Sequence, residues 1–80
     1  MNQSEIEHIV LDVLSAVLRR QFPHGTDVVR ESTDGWDSLK HVEIVFAIEE
    51  EAGVEFPESM LAELDRVSRF VSAIEALRAA

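Results

Sequence analysis

The chain has 80 residues and no cysteine, which indicates one small domain (residues 1–80) without disulfides, cysteine metal ligands or a thiol of its own. Its net charge of −9 at pH 7 would repel nucleic acid, so we expect no nucleic-acid partner. No apolar run reaches the roughly 20 residues of a membrane span and no signal peptide is recognisable, so we expect a cytoplasmic protein.

The acidic residues are unevenly distributed. Residues 31–65 hold 11 of the 16 acidic side chains and a single Lys or Arg, Lys40. A surface of this kind attracts positively charged proteins and associates with them faster at low salt. Acidity that merely keeps a small domain in solution is an equally good explanation of the charge taken alone.

Apolar spacing predicts an all-α fold, a small four-helix bundle with three longer helices and one short helix. Ser4 and Glu7 have capping-box spacing at the start of helix one, and Phe22-Pro23-His24-Gly25 terminates it. A long connection, residues 21–37, leads to helix two at 38–52, which Gly53 terminates. A short helix at 57–64 follows, and Asp65 is the predicted N-cap of the last helix. The stripe of helix one comprises Ile6, Ile9, Val10, Val13, Leu14, Val17 and Leu18.

Helix two has apolar residues on two opposite sides, whereas a helix packed on one core needs only one such stripe. The periodicity does not say which side faces inward. Glu43, Glu49 and Glu50 flank the second side, which favours an exposed docking surface, because lone carboxylates are seldom fully buried. The alternative is a central helix buried on both sides. The first side comprises Ile44, Val45, Ile48 and Ala52, and the second comprises Leu39, Val42 and Phe46.

Ser38 stands at the predicted start of helix two. The N–H groups and the positive dipole end found there suit a phosphate, so Ser38 is a candidate for modification. The alternatives are an ordinary N-cap serine and a dyad with His41, three residues on. The histidines are scattered without metal-pair spacing and the carboxylates form no calcium loop, so we expect neither a metal site nor an enzyme.

Several segments around Ser38 and after it follow one pattern. They are Gly35-x-Asp37-Ser38-Leu39, Val42-Glu43, 47–51, Gly53-Val54-Glu55-Phe56-Pro57 and the closing helix at 70–77. Together they cover essentially the whole chain and resemble the acyl carrier protein family. The tripeptide at 37–39 alone is a weak indication, but its combination with the following helix, the Gly-x-x-x-Pro link and the chain length is specific.

The resemblance implies that Ser38 accepts 4′-phosphopantetheine from coenzyme A, through a separate magnesium-dependent phosphopantetheinyl transferase. The thiol of that arm would carry acyl groups as thioesters between enzymes of fatty acid, polyketide or related specialised biosynthesis. Asp37 would help to position the serine and the transferase, and the carrier would be a monomer. Basic-surfaced partner enzymes would meet Leu39, Val42, Glu43, Phe46 and Glu50.

The resemblance also implies core residues that shelter an acyl chain, although ordinary core packing explains the same positions. Trp36, Lys40 and Ala52 depart from the pattern of fatty-acid carriers and indicate a specialised carrier. We expect Trp36 to pack on the bundle, the alternative being contact with the arm. An aminoacyl or peptidyl carrier and an unmodified acidic interaction domain remain alternatives. The core positions are Ile48, Phe56, Leu61, Leu64, Val67, Phe70, Val71 and Ile74.

Overall fold

A computed structural model describes residues 1–79 and confirms the small all-α bundle. Within these residues the backbone forms no strand, and only an isolated antiparallel bridge joins Val29 to Arg66. None of the described helices combines the length and apolar character needed to cross a membrane. In chain order the elements are α1 (Gln3–Leu18), a 3₁₀ turn (Arg30–Ser32), α2 (Ser38–Ala52), a 3₁₀ helix (Glu58–Glu63) and α3 (Val67–Ala79).

Helix α1 packs against both α2 and α3. The predicted capping box at Ser4 is wrong, because the N-cap lies two residues earlier, at Asn2, which accepts the hydrogen bond from the Glu5 amide (2.9 Å). Four of the seven predicted stripe residues are buried, Leu11 is buried in addition, and the other three are only partly buried: Ile9, Val17 and Leu18. The buried face of α1 comprises Ile6, Val10, Leu11, Val13 and Leu14.

Helix α2 has the predicted bounds. Gly53 ends it in the left-handed conformation (φ 69°), which glycine adopts without steric penalty because it has no side chain. The Gly53 N–H donates a hydrogen bond to the Glu49 carbonyl (2.9 Å). The structure also decides which side of the helix faces inward. The buried side comprises Ile44, Val45, Ile48 and Ala52.

The predicted N-cap of the last helix at Asp65 is wrong. Helix α3 begins at Val67, and its first turn is held by Asp27 from the long connection. Asp27 accepts hydrogen bonds from the Ser68 amide (2.8 Å) and the Ser68 hydroxyl (2.9 Å). The local pattern did not indicate this contact, because its partners are 41 residues apart in sequence.

We predict that Asp27→Ala lowers the free energy of unfolding by about 1 kcal/mol, within the roughly 0.5–2 kcal/mol range of lost helix caps. Urea denaturation followed by circular dichroism measures this loss. Asp34→Ala, at an exposed aspartate in the same connection, is the control and should change stability little. Equal effects of the two substitutions would contradict the capping role of Asp27.

Candidate functional site

Ser38 is the first residue of α2 and is exposed. The N-cap is its neighbour Asp37, whose carboxylate accepts a hydrogen bond from the Lys40 amide (2.9 Å). The interpretation of Ser38 as an ordinary N-cap serine is therefore wrong. Asp37 caps the helix through the Lys40 amide, which leaves the Ser38 hydroxyl without a capping role.

Trp36 fixes the turn that leads to Ser38. Its side chain is only 4% exposed, and its ring stacks on His41 and Phe70 with centroid distances of 6.0 and 6.5 Å. The preceding Gly35 adopts φ 88°, a backbone conformation that residues with a side chain rarely adopt. The expectation that Trp36 packs on the bundle is confirmed, and its burial ties the end of the connection to α3.

His41 is committed to structural hydrogen bonds. The Trp36 indole N–H donates to His41 Nδ1 (3.0 Å), so that nitrogen must be the acceptor. Nε2 consequently carries the ring proton and donates to the Leu61 carbonyl (3.1 Å). With both ring nitrogens engaged in this way, His41 does not act on the Ser38 hydroxyl, and the dyad interpretation is wrong for this geometry.

Arg30 is the neighbour of Ser38 that the sequence did not indicate. Its Nη2 donates to Ser38 Oγ (3.3 Å), and its Nε donates to the Trp36 carbonyl (3.3 Å). The 3₁₀ turn that begins at Arg30 places the side chain there, eight residues before Ser38. An irregular connection has no periodicity from which this proximity could be predicted.

The second side of α2 forms an exposed apolar strip, which we define as Leu39, Val42 and Phe46. Their exposed fractions are 68%, 49% and 65%, so the alternative of a helix buried on both sides is wrong. Glu43 and Glu50 are also exposed on this helix. The structure therefore brings an apolar strip and acidic side chains together on the helix that Ser38 begins.

Two charged residues of α2 have specific partners. Lys40 forms an ion pair with Glu43 (3.5 Å), one turn along the helix. Glu49, which the sequence grouped with the flanking acids, instead accepts a hydrogen bond from the Phe56 amide (2.7 Å) and is half-buried. Glu49 thus holds the chain that leaves α2, and the acids that flank the strip are Glu43 and Glu50.

The eight positions expected to line an acyl-binding core pack into the interior, with Leu61 partly exposed. Phe70 is fully buried and meets the Phe56 ring edge-on at a centroid distance of 5.8 Å. An open groove of about 450 Å³ lies between the 3₁₀ helix (Glu58–Glu63) and α3. Its apolar lining comes from Met60, Leu64 and Ala73. Of the eight positions, Leu64 alone is among the residues that line this groove.

Asp65, Arg66 and Arg69 form an ion-pair cluster next to Arg30. The Arg66 guanidinium donates to the Asp65 carboxylate (3.0 Å) and holds the pKa of Asp65 below its ordinary value of 3.8. Arg69 pairs with the same carboxylate (3.0 Å). The Asp65 carbonyl accepts a hydrogen bond from the Arg30 amide (2.8 Å). The cluster is therefore joined to the backbone of Arg30 by this hydrogen bond.

Comparisons with protein-family models, with curated proteins and with solved structures find no match for this chain. Among residues 1–79, no group of three or more His, Asp or Glu side chains could hold a metal ion. The functional interpretation therefore depends on the environment of Ser38 and the exposed strip.

We predict that Trp36→Ala removes about 3–5 kcal/mol of stability, the usual effect of deleting a buried aromatic ring. That loss approaches the whole stability of a small domain. Trp36→Phe keeps a buried ring and loses the hydrogen bond to His41, at a cost of about 1 kcal/mol. Urea denaturation followed by circular dichroism compares the two, and equal losses would contradict the packing role of the ring.

We predict that Asp65→Asn lowers the melting temperature by at most a few degrees at neutral pH, because partly exposed ion pairs contribute little. The folded pKa of Asp65 lies below the unfolded one, so the contribution is complete above the unfolded pKa and is lost as pH falls through the folded pKa. The difference from wild type should therefore shrink below about pH 4. Asp34→Asn is the control, and a difference that persists undiminished in strong acid would contradict the assignment.

Proposed function

We propose that this chain is an acyl carrier protein whose 4′-phosphopantetheine arm is attached to Ser38. The observation that carries the proposal is the environment of that hydroxyl. It is exposed at the start of α2, Asp37 performs the capping, and His41 is engaged elsewhere. An exposed serine that neither caps its helix nor has a base of its own chain beside it is well suited to modification by another enzyme.

The residues around Ser38 fit a phosphate group. The first turn of α2 presents the positive end of a 15-residue helix, and the Arg30 guanidinium lies 3.3 Å from Ser38 Oγ. Attachment would form a bond between Oγ and phosphorus and break the phosphorus–oxygen bond to adenosine 3′,5′-bisphosphate, with the hydroxyl proton passing to the transferase. The arm would supply the thiol that this cysteine-free chain lacks, and that thiol would hold acyl groups as thioesters.

The exposed strip supports a role in docking. Leu39 adjoins Ser38, and Phe46 continues the strip two turns along α2, with Glu43 and Glu50 beside it. An apolar centre with an acidic border suits partners that have an apolar patch within a basic surface. We propose that the transferase and the acyl-transferring enzymes bind here in turn to the monomeric carrier.

The decisive experiment is intact-mass spectrometry of the protein incubated with coenzyme A, magnesium and a broad-specificity phosphopantetheinyl transferase. The wild type should gain one phosphopantetheine group, and Ser38→Ala should gain none. Circular dichroism shows that both proteins are folded. No gain by folded wild type would overturn the carrier proposal and favour an unmodified interaction domain that uses the exposed strip.

We predict that Glu43→Lys slows modification by a basic-surfaced transferase about three- to tenfold at low salt, because it reverses a charge beside the exposed strip. High salt should reduce the difference by screening the charges. Glu75→Lys, at an exposed position of α3, is matched in charge and should have a much smaller effect. Equal rates for the two variants at low salt would place the docking surface elsewhere.

A further inference from the structure

Arg30 is held in place at the site by three hydrogen bonds. Its backbone amide donates to the Asp65 carbonyl (2.8 Å), its Nε to the Trp36 carbonyl (3.3 Å) and its Nη2 to Ser38 Oγ (3.3 Å). The first two bonds join Arg30 to the entrance of α3 and to the turn before α2. The guanidinium is therefore positioned beside the Ser38 hydroxyl before any group is attached there.

The Arg30 guanidinium has N–H donors beyond the two that these side-chain hydrogen bonds use. Among residues 1–79, the ion pairs involve Lys40, Arg66 and Arg69, and none of them includes Arg30. A guanidinium has five N–H groups, and the two side-chain hydrogen bonds of Arg30 use two of them. A half-buried cation without a carboxylate partner in the described chain is suited to an anion brought from outside.

The chemistry of the two groups is complementary. Guanidinium groups bind phosphate oxygens through paired, charge-assisted hydrogen bonds, which are stronger than neutral ones. A phosphodiester on Ser38 Oγ has its phosphorus one bond from the atom that Arg30 already contacts. Lys40, a second cation in the first turn of α2, is paired with Glu43. The Asp37 carboxylate caps the helix.

We propose that Arg30 is the positioning residue for the phosphate attached to Ser38. It donates to the non-bridging phosphate oxygens and fixes the root of the arm against the turn at Trp36. This proposal rests on the proposed carrier function and adds a specific role for the connection between α1 and α2. That segment then both delivers the serine and binds the group attached to it.

The test compares wild type, Arg30→Gln, Arg30→Lys and Arg20→Gln before and after modification with coenzyme A, magnesium and the transferase. Arg20 is the matched control, because its guanidinium lies over the Phe22 ring rather than beside Ser38. Intact mass measures the transfer, ³¹P NMR reports the environment of the phosphodiester, and ¹⁵N-labelled arginine reports the Nε–H signals.

We expect modification of wild type to shift the Arg30 Nε–H signal and to leave the Arg20 signal unchanged. The ³¹P signal of modified Arg30→Gln should differ from that of wild type, with Arg30→Lys between them and Arg20→Gln like wild type. Transfer to Arg30→Gln should be about three- to tenfold slower, the effect of losing one charge-assisted contact at a partly exposed site.

The possible failures are distinguishable. If wild type is modified but its Arg30 signal and the ³¹P signal of Arg30→Gln stay unchanged, the role of Arg30 is overturned and the carrier function stands. If folded wild type gains no mass, both proposals are overturned. Since the wild-type NMR measurement needs no substitution, the proposal can be rejected even if Arg30→Gln does not fold.

Discussion

The burial of one indole ring holds this site together. Trp36 stacks on Phe70 of α3 and on His41 of α2, and its N–H donates to the His41 ring. A long connection would otherwise lose its order to chain entropy. Because the ring is buried two residues before Ser38, the start of α2 is fixed relative to the core. The carbonyl of the same residue also holds the Arg30 side chain.

The polar side chains of Asp37 and His41, close to Ser38, each form structural hydrogen bonds. Asp37 caps α2 through the Lys40 amide, and His41 links Trp36 to the Leu61 carbonyl. Each group is therefore occupied by a structural task, which leaves the Ser38 hydroxyl exposed with Arg30 as its neighbour. This arrangement explains how a serine near a histidine can be a site of attachment in the proposed carrier rather than half of a catalytic dyad.

Helix α2 connects the core to the outer surface. Its inner side packs through Ile44 and Ile48, which are fully buried, whereas Phe46 lies outside with 65% of its surface exposed. Exposure of a large aromatic ring costs solubility, and the negative charge of the chain offsets that cost. The core thereby fixes the helix, and the opposite side stays available to partners of the proposed carrier.

The sequence by itself determined the all-α class, the bounds of α2 and the two-sided pattern of that helix, because apolar spacing and a terminating Gly53 are local features. It also indicated that Ser38 begins the helix. Only the tertiary structure decided that Leu39 and Phe46 face outward, that Asp27 rather than Asp65 holds the start of α3, and that Arg30 meets Ser38. These outcomes depend on how α1 packs against its neighbours and on the path of an irregular connection, and neither is encoded in local periodicity.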